Sequence, residues 1–150
     1  MRILSKSSEE TIGLGQKFGK SLKGGEIFAL YGDLGGGKTQ FTKGIALGLG
    51  ISDHILSPTF TIRREYEGKR LHLLHYDFYR FEAPDRELIE SMKEGIDPDN
   101  VTAIEWAERV EKYLPKDTIQ VSFKYISENE REIEIENYNS ERHSEERIIS

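Results

Sequence analysis

The sequence predicts an α/β domain in which a mixed β-sheet is flanked by helices and ends in a C-terminal β-hairpin. Residues 26–31 and 101–106 are short apolar runs of the kind found in buried strands. Residues 119–125 and 130–138 instead alternate apolar and polar side chains, which indicates an antiparallel hairpin. From residue 26 onwards the elements follow the order β-α-β-β-α-β-α-β-β, and this interleaving indicates a mixed sheet.

The first part of the chain predicts a helix, a strand and a second helix. Ser7 and Glu10 form the S-x-x-E pattern of a capping box, and apolar residues follow at helical spacing until Gly24 and Gly25. The strand at 26–31 comes next, followed by a glycine-rich loop and a second helical pattern. The apolar positions of that second helix are Phe41, Ile45 and Leu49.

The middle of the chain predicts two strands followed by two helices on either side of a third strand. Residues 60–66 alternate with period two, and residues 71–78 carry apolar side chains on both faces, which places them inside the sheet. Pro84 and Asp85 are typical of a helix start. Residues 108–113 then predict a short helix after the strand at 101–106.

Length and composition exclude several classes of protein. The chain has 150 residues, enough for one domain with a sizeable core, and its mean hydropathy of -0.60 is typical of a soluble protein. It contains no cysteine, which excludes disulfides, thiol catalysis and zinc–thiolate sites. The N-terminal segment lacks the apolar core of a signal peptide, and no apolar run approaches the roughly 20 residues that span a bilayer. We therefore expect a cytoplasmic protein that does not bind membranes.

The net charge of -6 is concentrated at the C-terminal end. Residues 127–150 hold eight Glu and three Arg, a balance of -5, which leaves the rest of the chain nearly neutral. Neither part has the clustered Lys and Arg that a protein needs to bind nucleic acid unaided. We expect residues 1–140 to form the domain and residues 141–150 to form an acidic, flexible tail.

A glycine-rich loop predicts a nucleotide site. Gly32-Asp-Leu-Gly-Gly-Gly-Lys-Thr39 fits G-x-x-x-x-G-K-[ST], with a buried-type strand before it and an amphipathic helix after it. Glycines let backbone N–H groups turn towards a polyphosphate, Lys38 supplies a charge for the β- and γ-phosphates, and Thr39 offers a hydroxyl to Mg²⁺. The sequence therefore predicts a single P-loop NTPase domain.

Two acids are candidates for the hydrolytic site. Asp77 and Glu105 each end an apolar strand pattern, where a site of this type needs a carboxylate near Mg²⁺. The alternative for each is an ion pair with a nearby arginine such as Arg80 or Arg109. His72 and His75 fall on opposite sides of one strand, so they are a poor metal pair and are interpreted as core or sheet-face residues.

Two further segments leave alternatives open. Ser57-Pro-Thr-Phe-Thr61 is rich in hydroxyl groups, so Thr59 or Thr61 is a candidate sensor of the γ-phosphate, and an ordinary turn is the alternative. Arg131 shares a face with Ile133 and Ile135, and an arginine on an apolar face requires an anion, either a structural acid or a phosphate. Trp106 is interpreted as a packing residue.

Four segments together resemble one family. They are the glycine-rich loop, Ser57-Pro-Thr-Phe-Thr61, His75-Tyr-Asp-Phe-Tyr-Arg80 and Ile104-Glu-Trp-Ala-Glu108. Their order and spacing are similar to those of the bacterial TsaE (YjeE) proteins, small ATPases of tRNA N6-threonylcarbamoyladenosine biosynthesis. The resemblance covers residues 7–135. Between residues 85 and 100 the sequence departs from the family pattern. The glycine-rich loop is shared with many enzymes, but the combination is much more specific.

The resemblance implies activity, cofactors and partners. It implies a P-loop fold that binds ATP and Mg²⁺, hydrolyses ATP slowly alone, and supports multiple turnover by a TsaB–TsaD heterodimer that modifies tRNA. Contact with tRNA is then indirect, through the complex. The residues leave two other readings open, a P-loop kinase for a small metabolite and a non-hydrolytic docking switch driven by ATP binding.

The resemblance also implies roles for individual residues. By this resemblance we expect Thr39 and Glu105 to bind Mg²⁺ and Asp77 to be tied to hydrolysis. The chemistry of the residues themselves adds Lys38, which would neutralise charge, and Thr59 or Thr61, which would sense the γ-phosphate. The nucleotide-binding set is Ser8, Asp33, Leu34, Gly35, Gly36, Gly37, Lys38, Thr39, Gln40 and Arg131.

Overall fold

A computed structural model describes residues 1–32, 37–52, 55 and 63–139. Within these ranges the chain forms strands, α-helices and two 3-10 turns, at Ala107–Arg109 and Glu111–Tyr113. The strands are β1 (Arg2–Ser5), β2 (Ile27–Tyr31), β3 (Arg63–Tyr66), β4 (His72–Asp77), β5 (Asn100–Glu105), β6 (Ile119–Tyr125) and β7 (Arg131–Glu136). The helices are α1 (Ser8–Ser21), α2 (Lys38–Gly48) and α3 (Arg86–Glu94).

All seven described strands belong to one mixed sheet, in the order β1-β7-β6-β2-β5-β4-β3. The four central strands, β6, β2, β5 and β4, are parallel to one another, whereas β1, β7 and β3 pair antiparallel at the two sides. The carboxyl ends of the parallel strands therefore meet along one edge of the sheet, where α/β proteins of this type bind ligands.

The sheet is covered on both faces. Phe28 and Leu30 of β2 pack under α1 and α2, while Ile27 and Ala29 of the same strand face α3 and the 3-10 turns. Alternate residues of a strand point to opposite faces, so a central strand with cover on both sides is apolar throughout. This explains why residues 26–31 form an uninterrupted apolar run.

The predicted fold class is confirmed, and several predicted elements match closely. The Ser7 hydroxyl accepts a hydrogen bond from the Glu10 amide at 3.0 Å and so caps α1, while the Glu10 carboxylate accepts one from the Lys6 amide at 2.7 Å. Asp85 caps α3 in the same way through the Leu88 amide. Both caps satisfy N–H groups that a helix start leaves without partners.

The sequence patterns missed β1 and misjudged residues 108–113. In β1 the exposed Leu4 breaks any alternation with the partly buried Ile3, so this four-residue edge strand exists only because β7 offers a partner. Residues 108–113, predicted as one short helix, are helical but form two separate 3-10 turns on either side of Val110. Of the strand predicted at 60–66, residues 60–62 lie outside the described part of the chain, as does the predicted tail at 141–150.

Helices α1 and α2 touch through glycines. An ideal Cβ atom on Gly15 would lie 3.1 Å from the Cα atom of Gly44, and one on Gly19 would lie 3.0 Å from the Cα atom of Gly48. Backbone therefore meets backbone at this crossing, which is closer than helices with larger side chains can approach. The second half of α1 is thereby fixed against the second half of α2, the helix that follows the glycine-rich loop.

Arg70 closes the carboxyl end of α1 from the turn between β3 and β4. Its guanidinium donates hydrogen bonds to the carbonyl oxygens of Leu22 at 2.8 Å and Gly19 at 3.1 Å. These carbonyls lie at the last turn of the helix. The carbonyl oxygens of a last turn have no N–H donors within the helix itself. A cation here also interacts favourably with the helix dipole.

We expect Arg70→Met to lower the free energy of unfolding by about 1–2 kcal/mol, because two charge-assisted hydrogen bonds to the end of α1 are lost. Urea unfolding followed by circular dichroism measures the change. The neighbouring Lys69→Met is the control, since Lys69 is exposed and its substitution should change the free energy by less than about 0.5 kcal/mol. Equal destabilisation by both variants would contradict a capping role for Arg70.

Candidate functional site

A cavity of about 320 Å³ lies at the carboxyl edge of the parallel strands. The starts of α1 and α2, the ends of β4 and β5, and the turn before β7 all contribute to its walls. Its volume is within the range of small-molecule sites. The lining residues are Ser7, Ser8, Thr11, Gly37, Lys38, Thr39, Gln40, Asp77, Glu105, Trp106, Glu128, Asn129 and Arg131.

Two glycines shape the entry to α2. Gly32 has φ +138° and Gly37 has φ +108°, a region of backbone conformation that side chains disfavour. An ideal Cβ atom on Gly32 would lie 2.7 Å from the Phe123 carbonyl oxygen of β6, so this position is also crowded. Gly37 is the residue immediately before α2, and it aims the first turn of that helix at the cavity.

Lys38 is almost fully buried at the floor of the cavity, with 4% of its surface exposed. Its ammonium donates a hydrogen bond to the Gly32 carbonyl and lies 4.4 Å from the centroid of the Trp106 ring. The carbonyl and the aromatic face both stabilise a positive charge. Lys38 is therefore a positioned cation at the start of α2.

Trp106 forms one wall beside Lys38. It has φ 58° and ψ 45°, a left-handed conformation that is uncommon for a large side chain. The Tyr79 ring lies 5.1 Å from its ring, and the Arg109 guanidinium lies 5.4 Å away. Trp106 therefore packs, as the sequence suggested, but it also lines the cavity.

Glu105 lies at the end of β5 and contacts two side chains. Its Oε2 atom is 2.6 Å from His75 Nε2 of β4, and both its oxygens are 3.4 Å from the Thr39 hydroxyl of α2. The Glu105 side chain is 6% exposed and that of His75 is fully buried. These contacts compensate for the cost of removing a carboxylate from water. His75 and Thr39, rather than Arg109, are thus the contacts that the structure shows for Glu105.

Thr39 and Glu105 are suited to Mg²⁺. A hydroxyl and a carboxylate converge beside the cavity, and oxygen atoms are the ligands that Mg²⁺ prefers. Among the described residues, no group of three or more His, Asp or Glu could hold a metal ion. Mg²⁺ usually binds one or two carboxylates and keeps several water ligands, so one hydroxyl and one carboxylate could form part of such a site.

Asp77 lies at the cavity wall next to Glu105. The two residues are paired in the parallel register of β4 and β5, so their side chains project from the same face of the sheet. Asp77 is only partly buried, and its Oδ1 atom accepts a hydrogen bond from the Tyr79 amide at 2.9 Å. The Glu105 carboxylate therefore faces Thr39, while the Asp77 carboxylate lies nearby and is more exposed to solvent.

Arg131 and the start of α1 also line the cavity. The Arg131 guanidinium donates to the carbonyl oxygens of Ser127 at 2.6 Å and Glu130 at 2.9 Å, and it lies 4.6 Å from the Tyr125 ring centroid. Arg131 thus supports the β6–β7 turn and also lines the cavity. Ser8 of α1 lines the same cavity. Ile133 and Ile135 are buried, as predicted for that face of the hairpin.

Tyr31 ends β2 directly before the loop. Its hydroxyl donates a hydrogen bond to Glu111 at 2.9 Å. Burial first, then that bond and the negative charge of Glu111, raise the pKa of the Tyr31 hydroxyl far above its usual value. The hydroxyl therefore stays protonated and ties the end of β2 to the second 3-10 turn.

The structure brings eight of the predicted site residues to this one cavity, from five separate elements of the chain. They are Ser8, Gly37, Lys38, Thr39, Gln40, Asp77, Glu105 and Arg131. Asp33, Leu34, Gly35, Gly36 and Thr59 lie outside the described residues. Sequence reasoning did not assign Ser7, Thr11, Trp106, Glu128 and Asn129 to the site. A signal existed for Trp106, which directly follows Glu105, and for Ser7, which caps α1 beside Ser8.

No helix among the described residues is long and apolar enough to cross a membrane.

The mixed sheet with helices on both faces is an α/β fold consistent with a P-loop NTPase domain, and its cavity lies at the carboxyl ends of the parallel strands. The family model for "Threonylcarbamoyl adenosine biosynthesis protein TsaE" matches residues 5–133, which is most of the chain. The chain belongs to the TsaE family.

Relatives and a solved structure agree with this assignment. The chain is 40% identical over 135 residues to the tRNA threonylcarbamoyladenosine biosynthesis protein TsaE of Treponema pallidum, covering 90% of this chain and 99% of that protein. It is 42% identical over 125 residues to the protein of that name from Bacillus subtilis, covering 83% and 78%. The crystal structure of Bacillus subtilis YdiB superposes with a TM-score of 0.72 at 36% identity, covering 89% of this chain and 82% of that one.

Proposed function

We propose that this protein is an ATP-binding and ATP-hydrolysing subunit in the biosynthesis of tRNA threonylcarbamoyladenosine, and that it acts with TsaB and TsaD to support multiple turnover. The observation that carries the proposal is the convergence of Lys38 with the Thr39–Glu105 pair in one cavity at the start of α2. A buried cation and a pair of oxygen ligands side by side suit a polyphosphate with its Mg²⁺. Membership of the TsaE family supports the link to tRNA modification.

Lys38 and the first turn of α2 would hold the phosphates. The N–H groups of a first helical turn have no acceptors within the helix, and they carry the positive end of the helix dipole. Gly37 points this turn at the cavity, and Lys38 adds a full charge beside it. Exchange of the Gly32 carbonyl and the Trp106 ring for phosphate oxygens would give Lys38 its strongest hydrogen bonds.

Hydrolysis would depend on both acids. Mg²⁺, when bound, would neutralise charge on the β- and γ-phosphates, and Thr39 and Glu105 would hold it. Asp77 stands at the same edge in a more exposed position, where its carboxylate can orient a water molecule towards the γ-phosphate. We assign Mg²⁺ to Glu105 and the water molecule to Asp77, because Glu105 already contacts His75 and Thr39.

The charge distribution favours indirect contact with tRNA. The chain has a net charge of -6 with its acidity concentrated in the C-terminal part, and phosphate backbones bind clustered cations. TsaB and TsaD would therefore contact the tRNA, while this subunit contacts ATP.

Asp77→Asn is expected to lower ATP hydrolysis at least about 100-fold while ATP affinity stays within about threefold, because the amide keeps the shape but loses the charge and basicity that orient water. Phosphate release, with and without TsaB–TsaD, measures the first effect, and calorimetric titration measures the second. Asp117→Asn is the matched control, since Asp117 is exposed and lies before β6 at the opposite edge of the sheet. Unchanged phosphate release by Asp77→Asn would remove Asp77 from the reaction.

A turnover assay tests the role in tRNA modification. TsaB, TsaD and tRNA, supplied with the threonylcarbamoyl donor, are expected to modify many tRNAs per TsaD only when the wild-type subunit and ATP are present. Multiple turnover without the subunit would overturn the proposal. Transfer of the γ-phosphate to a small acceptor would instead support a kinase, and full turnover with the hydrolysis-deficient Asp77→Asn variant would support a docking switch.

A further inference from the structure

We propose that His75 is a positioning residue that fixes the Glu105 carboxylate towards Thr39 and thereby determines how strongly Mg²⁺ promotes nucleotide binding. This inference rests on the proposed function, because it concerns the same site. It assigns a task to a buried polar side chain that the proposed chemistry does not otherwise use.

The pairing of β4 with β5 places the two side chains together. In the parallel register His75 lies opposite Ala103, and Glu105 follows two residues later on the same face of the sheet. The small side chain of Ala103 leaves space between them, and His75 Nε2 reaches Glu105 Oε2 at 2.6 Å. We assign the imidazole as donor through Nε2 and the carboxylate as acceptor, because an ionised carboxylate can only accept hydrogen bonds.

The contact fixes one oxygen of Glu105 in a nearly water-free environment. Little water reaches this bond, since the His75 side chain is fully buried and that of Glu105 is 6% exposed. A hydrogen bond to a buried charge is stronger than one at the surface, and it restricts the carboxylate to one orientation. In that orientation both oxygens lie at an equal 3.4 Å from the Thr39 hydroxyl.

The second ring nitrogen of His75 argues against a packing role. Nδ1 is buried, and it has no hydrogen-bond partner among the residues that the structure describes. An unsatisfied buried polar atom costs about 1–3 kcal/mol, which an apolar side chain of similar size would avoid. The imidazole is therefore unfavourable as core filling, and the bond from Nε2 to Glu105 is the compensating interaction. Residues that hold a metal ligand in this way typically change metal affinity about 10- to 100-fold when they are replaced.

The test compares three substitutions of His75 by titrating Mg²⁺ at fixed ATP and recording binding through Trp106, the single tryptophan, which lines the cavity. His75→Leu keeps the volume but removes the donor. His75→Gln places an amide N–H group near the position of Nε2, and His75→Asn carries an amide that is too short to reach Glu105. His72→Leu is the control, since His72 is exposed on the opposite face of β4.

We expect His75→Leu and His75→Asn to raise the Mg²⁺ concentration at half-maximal ATP binding about 10-fold or more, while His75→Gln and His72→Leu stay within about threefold of wild type. ATP affinity in EDTA should be unchanged in all four. Equal Mg²⁺ requirements for His75→Gln and His75→Asn would overturn the inference, even if His75→Leu fails to fold. Equal losses with and without Mg²⁺ would also overturn it, since they indicate general damage to the cavity. A wild-type protein that binds no ATP would overturn the proposed function itself, and this inference with it.

Discussion

Lys38→Met is expected to weaken the binding of Mg²⁺–ATP by at least about 100-fold. The ammonium would make charge-assisted hydrogen bonds to two phosphate groups, each worth about 1.5–3 kcal/mol, and a loss of about 3 kcal/mol corresponds to about two orders of magnitude in affinity. Methionine retains most of the length of the side chain and remains suited to burial against Trp106. Calorimetric titration of the purified variant with Mg²⁺–ATP measures the change.

Lys43→Met is the matched control for this prediction. Lys43 lies in the same helix, five residues from Lys38, and it does not belong to the lining of the cavity. Its substitution removes the same charge from the protein, so ATP affinity should stay within about threefold of wild type. If Lys38→Met also binds ATP within threefold of wild type, while its thermal unfolding shows an intact fold, this cavity does not hold the phosphates.

Gly44→Ala is expected to lower the free energy of unfolding by about 3 kcal/mol or more, although alanine is the better helix former by about 1 kcal/mol. The new methyl group would overlap the carbonyl oxygen of Ile12 and lie 2.8 Å from the Gln16 nitrogen and the Gly15 Cα atom. These are backbone atoms of α1, which cannot move aside as a flexible side chain can. The helices must separate, and for a chain of this length the midpoint of thermal unfolding should fall on the order of 10 °C.

Gly13→Ala in α1 is the control for Gly44→Ala. A Cβ atom on Gly13 would meet no heavy atom within 4 Å, so only the gain in helix propensity applies. We expect this variant to be as stable as wild type or more stable by up to about 1 kcal/mol, measured by the same thermal unfolding experiment. A stable Gly44→Ala variant would show that α1 and α2 do not require backbone contact.

Much of the fold was predictable from local patterns. The capping box at Ser7 and the N-cap at Asp85 mark helix starts through hydrogen bonds between neighbours in sequence, which is why both appear in the structure. Strand β1 was not predictable in this way, because a short edge strand is stabilised by pairing with β7, more than 120 residues away. The 3-10 turns around Val110 also escaped prediction, since the same apolar spacing suits a short α-helix.

The candidate site was predictable where its residues belong to a recognisable sequence pattern. The glycines at positions 32 and 37 adopt the positive φ values that the loop motif implies, and the acids at 77 and 105 end parallel strands that meet at one edge. The position of Trp106 directly after Glu105 was a signal, but it could not separate a cavity-lining role from packing, because a half-buried aromatic residue beside a buried strand is usually a packing residue.

Local sequence thus specifies the helix caps, the turn glycines, the strand order along the chain and the loop that precedes α2, because each depends on hydrogen bonds and backbone angles within a few residues. Only the folded chain brings His75 to Glu105, Lys38 to Trp106, and α1 against α2. Those contacts depend on which strands pair and in what register, and a shift of one residue in β4 would turn His75 to the opposite face of the sheet. Register is set by burial over the whole sheet, so no short segment of this sequence contains it.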